Sequence, residues 1–287
     1  MKKFIIISLK LLVSVSILYY YFSRIDISLY FNLLKGVDIF FFFIALLMFF
    51  IALFFFTYKW KLLLKMMDVE YRYWVLFKIN LISMFYATFL PGGFLAGEAV
   101  KSYKISKNQN HKTERIFSIF LDRLTGVISF VLIGTISLML TYFFVNKILI
   151  TYIILFCGAF FIYLALILRK PREKIKSFLS KLFTRYNIIF LEKEKNIKKS
   201  YINKAVLLGA IFQILITAGL YFIILSIGLK ISFLNLIWIN ALASTLTLLP
   251  ISILGIGLRE ISFVYLFGLF GFLEASSLSV ATLIVFI

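Results

Sequence analysis

Very little in this sequence can perform side-chain chemistry of the usual kinds. Among 287 residues there is one cysteine, Cys157, and one histidine, His111. A disulfide framework needs two cysteines, a Cys/His zinc site needs several such ligands, and a Ser-His triad needs a buried histidine, so all three are excluded. Cys157 sits in an apolar run and reads as inert packing, whereas His111 lies in the polar loop KNQNHKTER and reads as solvated. Acidic residues are scarce too, 12 against 31 Lys and Arg. There is no Asp-x-Asp pair and no Gly-rich nucleotide turn within a βαβ pattern; Asp68-Val-Glu70 is the nearest approach to an acidic donor site. The expectation is no metal, no cofactor and no catalytic residue.

What the chain has in excess is hydrocarbon. It is 63% hydrophobic with a mean hydropathy of +1.04, well beyond the about 45–50% apolar content of soluble domains. No polar block is long enough for a separate soluble domain, since the charged stretch 169–204 is itself interleaved with apolar residues. This predicts an all-α polytopic membrane protein in which residues 1–287 form one integral membrane domain. The net charge of +19 comes from Lys and Arg clustered between apolar runs, the distribution of the positive-inside rule rather than of a nucleic-acid-binding face. Such residues attract anionic lipid headgroups by roughly 1 kcal/mol each.

Phe4 to Phe22 is long enough to span, with Lys2, Lys3 and Lys10 marking a cytoplasmic N-terminus. Val37 to Tyr58 returns, received by Lys59, Lys61 and Lys65. Tyr71 to Lys78 reads as an interfacial stretch, and Ile79 to Leu90 is too short to cross before Pro91-Gly92-Gly93. Lys101, Lys104, Lys107, Lys112 and Arg115 then restore a cytoplasmic signature, so the segment folds as a re-entrant hairpin. Asp122 and Arg123 open the next span, Leu124 to Val145; adjacent residues on a helix face different ways, so each looks elsewhere for a partner, the interface or the hairpin. Ile148 to Leu168 returns to a basic amphipathic helix around Lys174 to Arg185. Ala205 to Ile227, with Gln213 and Thr217 on one face, crosses out, and Ile231 to Leu249 meets a second break. The last run, Ala275 to Ile287, is too short to span, which predicts a half-helix or an incomplete final span.

The two breaks resemble each other. Ile79 to Pro91, INLISMFYATFLP, and Ile239 to Pro250, INALASTLTLLP, both begin Ile-Asn and end Leu-Pro before a Gly-containing stretch and a Glu. Loop charge places one hairpin on each side, which makes the repeat inverted, a recurring transporter design. Structural breaks are expected at Pro91, Gly92, Gly93, Gly97, Pro250, Gly255 and Gly257. Glu98 either stabilises the first turn of the helix that follows or meets substrate.

LPGGFLAGEAVKSYKI, FLDRLTGV and LPISILGIGLREISFVYLFGLFG, in that order, resemble the motifs of the lysylphosphatidylglycerol synthase transmembrane region, a flippase-like family. Lys101 stands where that family commonly has Arg, keeping the charge without the bidentate fork. The resemblance implies an integral protein of the bacterial or archaeal cytoplasmic membrane that translocates a phospholipid, an aminoacylated phospholipid or a polyprenyl-linked glycolipid. Glu98, Lys101, Asp122, Arg123, Arg259 and Glu260 are the expected headgroup contacts, membrane lipids the expected ligands, and a lipid-synthesis enzyme a further partner. The alternatives are a membrane-embedded glycosyl- or aminoacyl-transferase and an accessory subunit of lipid modification.

Overall fold

Apolar sequence interrupted by polar punctuation folds here into helices. The structure, a computed structural model, describes residues 26–89, 94–107, 112–141, 199–247 and 258–285. Among them are nine helices and no strand: α1 Ile27–Lys35, α2 Ile39–Met66, α3 Tyr73–Phe89, α4 Phe94–Ser106, α5 Lys112–Thr141, α6 Lys199–Ser226, α7 Phe233–Thr247, α8 Leu258–Gly268 and α9 Glu274–Val285. The expected first span, the 148–168 span, the amphipathic helix, His111, Cys157 and the break residues Pro91, Gly92, Gly93, Pro250, Gly255 and Gly257 lie outside the described residues.

Three helices, α2, α5 and α6, are long and apolar enough to cross a membrane. At 1.5 Å per residue, the 28 residues of α2 reach about 42 Å, beyond the ~30 Å hydrocarbon core. Phe40, Phe43, Leu47 and Phe50 on α2 are each more than half exposed, an outer surface that suits lipid and not water. Asp26 and Asp38, which balance loop charge in sequence, act as N-caps: Asp38 accepts from the Phe40 amide at 2.8 Å and Asp26 from the Ser28 and Leu29 amides. The Ser28 hydroxyl, above all, holds the Asp26 carboxyl below its ordinary range.

Several sequence-derived boundaries move. The interfacial stretch and the short apolar run are one 17-residue helix, α3. The span expected to open at Asp122 starts ten residues earlier, at Lys112, so both charges lie inside α5. Likewise α6 starts at Lys199 rather than Ala205. In each case a polar turn of helix continues the apolar one, because helix propagation adds a hydrogen bond per residue and does not stop where hydropathy does.

The repeat is far more regular in structure than in sequence. The ends of α2 and α6 differ by 160 residues (39 and 199, 66 and 226), as do the starts of α3 and α7, 73 and 233. Both long helices end in the same Schellman turn. Val69 N–H donates to the Leu64 carbonyl and Leu229 N–H to that of Ile224, each at 3.1 Å. The left-handed residue is Asp68 (φ 58) in the first and Gly228 (φ 75) in the second. Asp68 therefore serves the backbone, as one of the few non-glycine types that tolerate this region. Asn80 Nδ2 donates to Thr57 Oγ1 and Asn240 Nδ2 to Thr217 Oγ1, both at 3.0 Å. Beyond the breaks the offset becomes 162: α4 and α8 end at 106 and 268, and α5 and α9 begin at 112 and 274.

Equivalent helices run antiparallel. Asp38 N–H donates to the Ser226 carbonyl at 2.7 Å, Phe56 packs on Phe212, and Leu63 clusters with Ala205. Hairpin α3–α4 has both feet at the far end of α2, where Tyr71 Oη donates to the Ile105 carbonyl at 3.2 Å. Hairpin α7–α8 starts at the opposite end, where Ser137 near the close of α5 donates to the Leu234 carbonyl. The two hairpins thus approach the bundle from opposite ends, an inverted repeat.

Hairpin α3–α4 closes through Gly97, where a Cβ would stand 2.5 Å from the Ser83 carbonyl oxygen and 2.8 Å from Ala87 Cβ. Gly97→Ala is expected to lower stability by about 1–3 kcal/mol through overpacking. Gly268→Ala, where nothing lies within 4 Å, is expected to change little; thermal unfolding in detergent compares the two.

Candidate functional site

A stripe of buried polar residues runs where α2, α4 and α5 meet. Along α2 the buried face steps through Ala52, Thr57, Lys59, Trp60, Leu63 and Leu64, so Lys59 lies on the helical stripe that faces the bundle. From α4 comes Lys101, and from α5 comes Asp122. All three are at most 3% exposed. Lys101 Nζ lies 3.3 Å from Asp122 Oδ2, and Lys59 Nζ lies 3.0 Å from Oδ1 while aiming its hydrogen bond at the Asp122 carbonyl, 2.8 Å away. One carboxylate therefore serves two ammonium groups.

Aromatic faces complete this environment. Lys101 Nζ stands 3.9 Å from the centroid of the Trp60 ring and 5.1 Å from that of Phe56, an attraction to the ring quadrupole that grows with desolvation. Trp60 is held by its indole N–H, which donates to Ser118 Oγ at 3.1 Å. Arg123, the next residue on α5, turns the other way and pairs with Glu98 of α4, its guanidinium 5.9 Å from the Phe56 centroid. This second pair is more open, with 32% of the Arg123 side chain and 14% of the Glu98 side chain exposed. Glu98 is the fifth residue of α4 and lies outside its first turn. Its partner is an arginine rather than the helix N-terminus. Glu98 Oε2 is buried and makes no hydrogen bond among the described residues.

The feet of the hairpin are tied by Arg115, which donates to the Ile105 carbonyl at 2.9 Å and to the Tyr71 hydroxyl. Those bonds satisfy a carbonyl at the C-terminal end of α4, where a cation is favoured. Burial pushes the Tyr71 phenol above its usual range against the opposing pull of Arg115.

Of the six contacts expected from sequence, Glu98, Lys101, Asp122 and Arg123 come together here. Arg259 and Glu260 stand in the first turn of α8, in the second hairpin, where Arg259 Nη2 donates to Glu260 Oε1 at 3.0 Å. Lys59 is the residue that sequence reasoning missed. It reads as a cytoplasmic flank with Lys61 and Lys65, yet it is buried. Its helical phase with Ala52, Trp60 and Leu63 is the signal that separates it from those neighbours.

Removing Asp122 strands two buried cations, whereas removing Lys101 leaves Asp122 with Lys59. Asp122→Asn is therefore expected to destabilise by about 3–5 kcal/mol, and Lys101→Met by clearly less. Thermal unfolding in detergent, with Lys59→Met/Lys101→Met/Asp122→Asn as the control that removes the whole charged group, measures the difference.

A search among curated proteins finds no match to this chain. The family described as the lysylphosphatidylglycerol synthase TM region matches it over residues 7–287. Three helices suited to crossing a membrane, two hairpins and a buried charge cluster at the first of them are thus features of an integral membrane protein of lipid modification or transport. The chain belongs to the lysylphosphatidylglycerol synthase transmembrane-region family.

Proposed function

We propose that this protein translocates a polar lipid across the cytoplasmic membrane, with its N-terminus on the cytoplasmic side and both helical hairpins re-entrant. The observation that carries the reading is the pairing of Glu98 with Arg123 beside the buried Lys59–Asp122–Lys101 group, at the inner face of the first hairpin. Ionic side chains at membrane depth are costly and are retained where a polar solute passes. Hairpins that approach from opposite ends supply the two gates that alternating access requires.

In this reading Arg123 exchanges Glu98 for the headgroup. The pair is the least buried part of the cluster, so it is the part a headgroup meets first. Lys59, Asp122 and Lys101 hold α2, α4 and α5 in the register that presents it.

Reconstitution into liposomes carrying a fluorescent headgroup-labelled phospholipid, read by dithionite quenching, tests the proposal. Wild-type protein is expected to accelerate exchange over empty vesicles, and Glu98→Gln and Arg123→Gln to slow it roughly tenfold or more, the scale of a lost charge-assisted hydrogen bond. The swapped pair Glu98→Arg/Arg123→Glu is expected to recover part of the rate. Exchange no faster than in protein-free vesicles, across anionic, aminoacylated and isoprenoid lipids, would end this reading.

A further inference from the structure

The ionic group at the first hairpin holds more positive charge than negative. Lys59, Lys101 and Arg123 face Glu98 and Asp122, three cations to two carboxylates among the described residues. Two of the cations are well matched. Lys59 Nζ meets both Oδ1 and the main-chain carbonyl of Asp122, at 3.0 and 2.8 Å, and Arg123 bonds Glu98. Lys101 is the surplus. It is only 1% exposed, yet its one hydrogen bond among the described residues goes to Asp122 Oδ2 at 3.3 Å, longer than the ~2.7–2.9 Å of a well-formed ammonium–carboxylate bond. Aromatic faces hold the extra charge. The Trp60 centroid lies 3.9 Å from Lys101 Nζ, and the Phe56 centroid lies 5.1 Å from Lys101, 5.5 Å from Lys59 and 5.9 Å from Arg123.

A matching deficit sits one helical turn away. Glu98 Oε2 is buried and accepts no hydrogen bond among the described residues. Residues 98 and 101 are three apart on α4 and share a face. The Glu98 charge, with that of Asp122, attracts the Lys101 ammonium, while Arg123 and Lys59 repel it. The hairpin partner α3 brings no ionic group to this face, since its one charged side chain, Lys78, is exposed. A lysine has a flexible four-carbon stem and three donors, and three residues of helix rise only about 4.5 Å. Side-chain rotation alone therefore carries the ammonium from Asp122 to Glu98.

We infer that Lys101 is a positioning residue with two stations, resting on Asp122 while Arg123 holds Glu98 and swinging to Glu98 when Arg123 leaves. With Arg123 gone the group that remains is balanced, Lys59 on Asp122 and Lys101 on Glu98. No carboxylate is stranded at any point, so the guanidinium is released without leaving an unpaired charge in low dielectric. A surplus lysine thus makes Arg123 exchangeable, where a group with one cation per carboxylate would lock it in place. As the means of handing Arg123 to a headgroup, the device rests on the translocation reading; as a property of the resting protein, it is testable without it.

Thermal unfolding of purified variants in detergent tests the two stations. Arg123→Met is expected to lower the unfolding temperature modestly, because Lys101 takes over Glu98, and Lys101→Met modestly, because Arg123 remains there. Arg123→Met/Lys101→Met leaves Glu98 without a cation and is expected to unfold well below the sum of the two single shifts, or to be too unstable to purify. Adding Glu98→Gln removes the stranded charge and is expected to return the unfolding temperature to the range of the single variants. Additive shifts in the double variant, or no recovery in the triple, overturn the inference. In liposomes, Lys101→Met is expected to slow exchange of headgroup-labelled phospholipid roughly 10- to 100-fold, the range for a hydrogen bond to a charged group, and Lys101→Arg to retain most of the rate. An unchanged rate in Lys101→Met overturns the hand-over. Wild-type protein that shows the non-additive unfolding but exchanges no lipid keeps the two stations and loses the translocation reading; exchange with additive unfolding does the reverse.

Discussion

A carboxylate shared by two buried lysines is the interaction on which the first half of this protein depends. Asp122 cannot be buried alone, because an unpaired charge in low dielectric costs several kcal/mol even after relaxation. Lys59 and Lys101 cannot either. Lys59 is paired only when α2 meets α5, and Lys101 only when α4 meets α5, so all three charges are satisfied together only when the three helices are in place. The ionic group thus acts less as an attraction than as a condition: these three helices have one arrangement in which none of the charges is stranded. Trp60 reinforces it by offering its face to Lys101 and its N–H to Ser118.

The second half meets the same geometric problem without charge. Its long helix, its Schellman turn and its Asn–Thr tie repeat those of the first half. At the position of Lys59 it has Gly219, and there packing comes from Phe49 of the antiparallel partner helix. Duplicated backbones with divergent interiors explain how one fold offers two unlike surfaces. A charged, partly open one lies at the first hairpin, and an apolar pocket edged by Arg259 lies at the second.

Close approach is the other device holding the bundle. Gly97 lets α4 lie on the Ser83 carbonyl, and Gly134 brings α5 to Ala241 of α7, where a Cβ would stand 2.7 Å from the alanine methyl. Small residues at such crossings substitute for the hydrophobic driving force that lipid does not provide. Hydroxyl groups on the same faces mostly bond back to their own helix, as Thr125 and Thr217 do to the carbonyls four residues before them. They add polarity to the interior without breaking the spans.

By itself the sequence determined the class and much of the plan. Hydropathy over 287 residues fixed an all-helical membrane protein, because only helices satisfy every backbone group in hydrocarbon across segments of that length. The two Ile-Asn to Leu-Pro segments already revealed a repeat, since a duplicated fold keeps its buried Asn and its helix break. Glu98, Lys101, Asp122 and Arg123 were legible as misplaced charges. Their pairing was not. Helical phase tells which way a side chain points on its own helix but not which helix stands opposite, so Lys59 read as a flank. Only the packing of α2, α4 and α5 made Asp122 the common partner of two lysines. The antiparallel placement of α2 against α6 sets the two similar segments at opposite ends of one bundle, where loop charge had placed them. Such contacts join residues distant in sequence, and pair geometry across them is set by tertiary packing, on which local propensity has no hold.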